Sequence, residues 1–363
     1  MSVIGRNARV TALMESLFER ASERVEVNPI TEAELEELFS TSVWGFREIL
    51  LVIVIARLLD SSYRASTAFY SCKPRALYEG PIRAELLKRG IPHRKSGPLN
   101  IAKATIGIND QWAAQRSPAK VAATVVRLVR KIEDMSSAQL ETFAAVVHGR
   151  LLAEASRVES LKVEARPEAD PGRLYGLCRA LIDEEPDAGN TPQRIVGYLM
   201  QSFHEELQTG LKVEGHEDRA SVTSTTSKKP GDINEEQLDG TLAHVYEVTV
   251  KPFGPDRMRE SYETVRDYDR SAGTETLEVL VICRREDRHP DADEGSGAPP
   301  YLGKVEHQDL TYHFIDLYSW MMAELLTMTP AARLAFYGRL DAYISDPNTS
   351  ERVKRLWRRL LEQ

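Results

Sequence analysis

Apolar residues change their spacing near residue 190 of this 363-residue chain. Upstream they recur three and four apart, the period of a helix. Val10, Leu13, Leu17 and Phe18 do so, then Leu35 and Leu38. A second helix is expected over Val43 to Leu59, with Ser42 as its N-cap. It is apolar nearly all round, which suits the buried centre of a helical domain. Arg47, Glu48 and Arg57 within it read as a buried or domain-facing ion pair. Tyr70 to Ala104 is broken by Pro and Gly into short helices and loops, and helical spacing resumes over Pro118–Ile132 and Ala138–Val158. Downstream, Thr191-Pro192 starts a helix carrying Ile195, Val196, Leu199, Met200, Phe203 and Leu207 on one face. Strands are expected over Arg219–Thr226 and Leu242–Val250, a helix over Pro255–Arg270 and a buried strand over Leu277–Cys283. Arg285 to Gly303 reads as a mobile surface loop. Helices are then expected over about Ile315–Met328 and Pro330–Ile344, with a basic one from Ser350. Such a chain divides into a mainly helical domain, 1–190, and an α/β (α+β) domain, 191–363.

Several function classes drop out on composition. The longest apolar run, Ile49 to Ala56, is eight residues, against roughly 20 for a membrane span. No apolar core follows the first basic residues, so a secretory signal is not expected. Cys72, Cys178 and Cys283 lie far apart without CxxC spacing, as reduced thiols of a cytoplasmic protein would. Neither GxxxxGK[ST] nor GxGxxG occurs, so no nucleotide cofactor is expected, and no HExxH or Cys/His cluster speaks for zinc. Net charge is −8, yet Ser61 to Lys131 holds fourteen Lys and Arg against Glu79, Glu85 and Asp110. That local excess suits a polyanion.

Chemistry concentrates in Lys228-Lys229-Pro230-Gly231-Asp232-Ile233 and in Glu247-Val248-Thr249-Val250-Lys251. Strand period puts Tyr246, Val248 and Val250 on one face and Glu247, Thr249 and Lys251 on the other. An Asp from a neighbouring strand can share a divalent cation with Glu247. Hard oxygen ligands suit Mg²⁺, which polarises a phosphoryl oxygen and acidifies a bound water.

Motif and element order over about 191–285 resemble the PD-(D/E)XK nuclease superfamily, especially type II restriction endonucleases. The resemblance implies a nuclease core with a central mixed β-sheet flanked by helices. It makes Asp232 and Glu247 the metal-binding carboxylates and places a lysine two residues past Glu247. Thr249 stands there instead. Lys251, on the same expected strand face, is the replacement candidate, and Lys229 the second. Many members add a carboxylate from the first core helix, and Glu206 lies nearest its apolar face.

The basic stretch interleaves charges with Tyr70, Tyr78, His93, Asn109 and Trp112. Lys73, Arg75, Arg83, His93, Arg94, Lys95, Asn100 and Lys103 are the candidate contacts to double-stranded DNA, since Arg, Lys and Asn bond phosphates and base edges. The helical N-terminal part resembles that of SacI-like restriction enzymes. The resemblance implies a site-specific, Mg²⁺-dependent deoxyribonuclease of a bacterial restriction-modification system, acting as a homodimer. Two alternatives stay open. One is a modification-dependent or repair endonuclease of the same fold. The other is a DNA-binding protein with a degenerate core, in which Thr249 marks lost catalysis.

Overall fold

The structure, a computed structural model, describes residues 3–21, 28–218, 220, 229–293 and 298–362. It falls into two compact units, Met1–Ser160 and Leu161–Gln363. The division lies thirty residues before the expected boundary at 190. The acidic, proline-marked stretch in between is not a linker. It contains helix Pro171–Glu184, whose Leu174, Leu177, Cys178, Leu181 and Ile182 are buried in the core of the second unit.

The first unit is helical. Its helices are α1 (Val3–Arg20), α2 (Pro29–Ser40), α3 (Gly45–Leu59) and the short α4 (Ala65–Ala68), α5 (Pro74–Leu77), α6 (Arg83–Lys88), α7 (Gly97–Ala102) and α8 (Asp110–Ala114). The longer α9 (Ala119–Asp134) and α10 (Ser137–Glu159) come next, the latter opened by a Ser136/Gln139 capping box. Every residue of α3 from Gly45 to Arg57 is buried, so this helix is the centre of the unit, packed against α7, α9 and α10. It starts two residues later than Val43, and Ser42 does not cap it. Arg47 and Glu48 do not pair with each other. The Arg47 guanidinium donates to Glu154 Oε2 at 2.5 Å and to Pro92 O at 2.8 Å, while Glu48 Oε1 accepts from the Arg94 amide at 2.6 Å. Arg57 donates to the carbonyls of Tyr63 and Glu133.

The second unit is a six-stranded mixed sheet between helices. Its strands are β1 (Leu211–Glu214), β2 (Ile233–Gln237), β3 (Leu242–Thr249), β4 (Glu278–Cys283), β5 (Tyr301–His307) and β6 (Leu310–Asp316). They lie in the order β1-β2-β3-β4-β6-β5. The pairs β3–β4 and β4–β6 are parallel, and the pairs towards both edges are antiparallel. The parallel step from β3 to β4 is crossed by α13 (Pro255–Ala272), with α11 (Pro171–Glu184) and α12 (Asn190–Leu207) preceding the sheet. Helices α14 (Leu317–Thr327), α15 (Pro330–Ser345) and α16 (Glu351–Leu361) close the chain.

Alternation in the central strands buries both faces. Tyr246, Val248 and Ile282 pack into one core with α11, α12 and α14–α16. Val245, Val279, Val281 and Cys283 pack into a second core with Met258 and Val265 of α13. The expected face of Glu247 and Thr249 is therefore not open: both residues are buried under α13.

Of the strand expected over 219–226, residues 219 and 221–226 lie outside the described residues, and Ala220 is in a turn. Two sequence expectations differ from the fold. Tyr301 to Gly303, expected at the end of a loop, begin β5. Ile315, expected to start a helix, belongs to β6, whose alternating Leu310, Tyr312 and Phe314 face the second core. Among the described residues no helix is long and apolar enough to cross a membrane.

Candidate active site

Asp232 is placed by backbone crowding. Its predecessor Gly231 runs so close to β3 that a Cβ there would lie 2.7 Å from Tyr246 O and from Val245 Cγ1. Only glycine permits that approach, and it brings residue 232 level with the end of β3. Behind it, Gln193 in the first turn of α12 donates from Nε2 to Gly215 O at 3.1 Å and to Asp232 O at 3.3 Å. Asp232 precedes the first rung of the β2–β3 ladder, Ile233 opposite Tyr246. Its Oδ2 accepts from the Val248 amide at 3.0 Å, filling the place a strand carbonyl would take.

Glu247 comes from β3, and α13 completes its surroundings. Residues 257, 261 and 265 form an i, i+4, i+8 stripe facing the sheet. Ser261 Oγ donates to Glu247 Oε1 at 2.9 Å. The Arg257 guanidinium reaches both acids: Nη2 lies 3.4 Å from Glu247 Oε2 and 3.5 Å from Asp232 Oδ2. A carboxylate just ahead of β2 and one on β3 thus meet around one guanidinium. Glu247 is closed in, whereas the Asp232 side chain keeps 26% of its surface open to solvent.

Enclosure sets the electrostatics of the pair. Burial, then the charge of Asp232 beside it, pushes the Glu247 carboxyl up to about 7, against the pull of Arg257. Asp232 is raised in the same way, by burial first, with Arg257 and the Val248 amide holding it down. One guanidinium does not compensate two acids out of water. Near neutral pH such a pair holds a proton or takes up further positive charge.

Not every expected member of the site is here. Strand β3 ends at Thr249, and the Thr249 hydroxyl folds the next residues into a turn by bonding both the amide and the carbonyl of Lys251. Lys251 is therefore off the strand, and exposed. Lys229 Nζ sits with Glu214 at 3.4 Å and Asp218 at 3.8 Å. Glu206 lies in the last turn of α12, exposed, accepting from Thr329 Oγ1 at 3.3 Å. Thirteen residues separate it from Gln193, which is roughly 20 Å along the helix at 1.5 Å per residue. Thr249 is at the site, but as an acceptor: Arg257 Nη1 donates to its Oγ1 at 2.6 Å. Arg257, Ser261 and Gln193 are members that the motif alone does not indicate. The signal for the first two is the inward stripe of α13, on which Met258, Ser261, Val265 and Asp269 are buried.

Among the described residues no group of three or more His, Cys, Asp or Glu side chains could hold a metal ion. A site of two carboxylates still fits Mg²⁺, which keeps several waters and needs only one or two protein carboxylates. A cavity of about 430 Å³ lies elsewhere on α13, lined by Tyr262, Arg266, Asp269 and Asp309. Within it Arg266 bonds Asp269 at 2.7 Å and Asp309 at 3.1 Å. It does not touch the acid pair.

In the first unit, much of the basic excess is neutralised. Arg64, Arg75, Lys88, Arg89, Lys120, Arg127, Arg130 and Lys131 pair with carboxylates of the same unit. His93 is buried, its Nδ1 2.8 Å from Ile91 O, and so cannot read a base. The Arg94 guanidinium turns towards Ser42 O, and Arg83 is half-buried. Lys73, Arg75, Lys95, Asn100 and Lys103 are exposed. No family model matches this chain, and no curated protein matches it in sequence.

Proposed function

We propose that this protein is a Mg²⁺-dependent endonuclease that hydrolyses phosphodiester bonds in double-stranded DNA. The observation that carries the reading is the convergence of Asp232, just ahead of β2, and Glu247 of β3 within 3.5 Å of one guanidinium nitrogen. The order helix α12, strand β3 with Glu247, helix α13 and buried strand β4 supports it, although Asp232 stands ahead of β2 where the resemblance to PD-(D/E)XK nucleases implies a strand ending near it.

Asp232 and Glu247 would hold the ion, with the open edge of Asp232 as its approach. A bound Mg²⁺ polarises the scissile phosphate and lowers the pKa of a water. The protein's own contribution is a dry, fixed cradle. Ser261 holds Glu247 Oε1 and the Val248 amide holds Asp232 Oδ2, while Arg257 reaches Glu247 Oε2. Arg257 offsets the charge that develops on phosphate oxygens during in-line displacement. Lys73, Arg75, Lys95, Asn100 and Lys103 are the proposed DNA contacts of the first unit. Sequence-specific cutting by a homodimer, in a bacterial cytoplasm, is the form the resemblance favours.

The test is digestion of a plasmid of known sequence with Mg²⁺, and then mapping of the ends. Discrete fragments are expected. Asp232→Asn should lower cleavage by about 10³-fold or more while retaining DNA binding in Ca²⁺. A second reading, DNA binding without catalysis, draws on Thr249 standing where the family has lysine. It prevails if the wild type cuts no DNA, methylated or not, with either Mg²⁺ or Mn²⁺.

A further inference from the structure

The position of Arg257 goes beyond the acid pair itself. Its guanidinium makes four polar contacts: Thr249 Oγ1 at 2.6 Å, Glu247 Oε2 and Val248 O at 3.4 Å, and Asp232 Oδ2 at 3.5 Å. Charge-assisted bonds between a nitrogen and a carboxylate are ordinarily about 2.7–2.9 Å long. Arg257 is therefore anchored on the threonine and only bridges the acids. Phe253, whose ring centroid is 5.4 Å from Cζ, shields the far face of the guanidinium.

Thr249 makes this possible. Its hydroxyl donates to Lys251 O and accepts from the Lys251 amide and from Arg257, which exhausts its capacity. A lysine at 249 would offer no acceptor and would set a second cation against the guanidinium. The threonine and the arginine thus form one device, with the positive charge delivered from α13 instead of from β3.

We propose that Arg257 occupies the cation position between Asp232 and Glu247 in the metal-free protein and competes there with the divalent ion. The inference rests on the reading of those two acids as metal ligands. Displaced from the acids but still tethered to Thr249, the guanidinium is free to bond a phosphate oxygen beside them. One side chain then serves as the counterion of the empty site and as the phosphate clamp of the loaded one.

Mn²⁺ binding, measured by electron paramagnetic resonance on the full-length protein without DNA, tests this. Arg257→Gln keeps donors for Thr249 and removes the charge. It should bind Mn²⁺ at least about tenfold more tightly than wild type, because a like charge beside two acids is gone. At saturating Mn²⁺ its cleavage rate should fall. Arg257→Lys retains the charge, and its affinity should stay within about threefold of wild type. As a check needing no substitution, the Arg257 Nε–H resonance of ¹⁵N-labelled wild type should shift on adding Mg²⁺. Unchanged or weaker Mn²⁺ affinity in Arg257→Gln overturns the inference while leaving the acid pair as metal ligands. A resonance that ignores Mg²⁺ while Mn²⁺ binds does the same. No binding by wild type or variant at millimolar Mn²⁺ overturns the inference and the nuclease reading together.

Discussion

Glu247→Gln is the substitution whose effect can be worked out most fully. In the metal-free protein the carboxyl is raised from 4.5 to about 7. A native group that binds its proton more tightly than the unfolded chain makes stability fall as pH rises between the two values. At 1.36 kcal/mol per unit, the ionised glutamate costs about 3 kcal/mol of folding stability above pH 7, and nothing below pH 4.5. Its side chain is only 11% exposed, so solvent screening removes little of that. Glutamine has the shape of the protonated acid and never ionises. In EDTA, variant and wild type should melt together near pH 4.5. By pH 8 the variant should melt higher, by roughly 6–12 °C for a unit of this size. Differential scanning calorimetry at several pH values reads the gap, which includes the response of the neighbouring Asp232 to the loss of the Glu247 charge. Saturating Mg²⁺ should shrink the gap at pH 8 by stabilising wild type alone. A gap that does not change with pH would show that the acid is fully compensated in the folded chain, and the electrostatic description of the site would fail.

Four further outcomes are expected. Lys251→Ala should leave cleavage within about twofold of wild type, measured on the same plasmid, since the residue lies past the end of β3; a loss comparable to that of Asp232→Asn would restore it to the site. Gly231→Ala should drive β2 away from β3 and destabilise the second unit by about 1–3 kcal/mol, with a parallel loss of Mn²⁺ affinity. Arg47→Ala leaves the buried Glu154 with only the more distant Arg157, 3.8 Å away, and should cost about 3 kcal/mol in a denaturant melt. Replacing Lys73 and Lys103 by Gln should lower the slope of log K against log salt by about 0.9 per residue in Ca²⁺ binding assays. No change in that slope would remove them from the DNA surface.

The parts of the second unit that are legible in sequence are those whose side chains obey one period. β3 alternates and β4 is apolar from Val279 to Cys283, so the crossover through α13 can be read directly. β2 cannot: Ile-Asn-Glu-Glu-Gln looks like a loop, and Glu235 is buried only because His204, His244 and Tyr246 all bond its carboxylate. Burial of that kind is a property of the assembled cluster. The β5–β6 hairpin is hidden because its turn runs through Gln308 at φ 56° and lacks the Gly or Asn-Gly that marks such turns. At the site, the Pro-Gly-Asp motif locates Asp232 and strand period locates Glu247. It also suggests Lys251, because extrapolating the strand two residues further ignores that a threonine hydroxyl can end it. Arg257 is invisible for a related reason: only the angle at which α13 crosses the sheet brings it to the acids. The basic stretch overstates its surface charge because sequence does not show which cations are matched by Glu15, Glu34, Glu37 and Glu133.

Asp232 also ties its segment to the sheet, since its Oδ2 accepts the Val248 N–H just ahead of the β2–β3 ladder. On the proposed nuclease reading, selection on this position is double. A lineage that abandoned chemistry but kept the fold would be free to replace Glu247, yet at 232 it would drift to asparagine sooner than to alanine, because an orphaned amide costs about 1–3 kcal/mol. Asparagine at 232 would then mark a relative that had retired from catalysis, while a change to alanine or valine would point to a rebuilt strand.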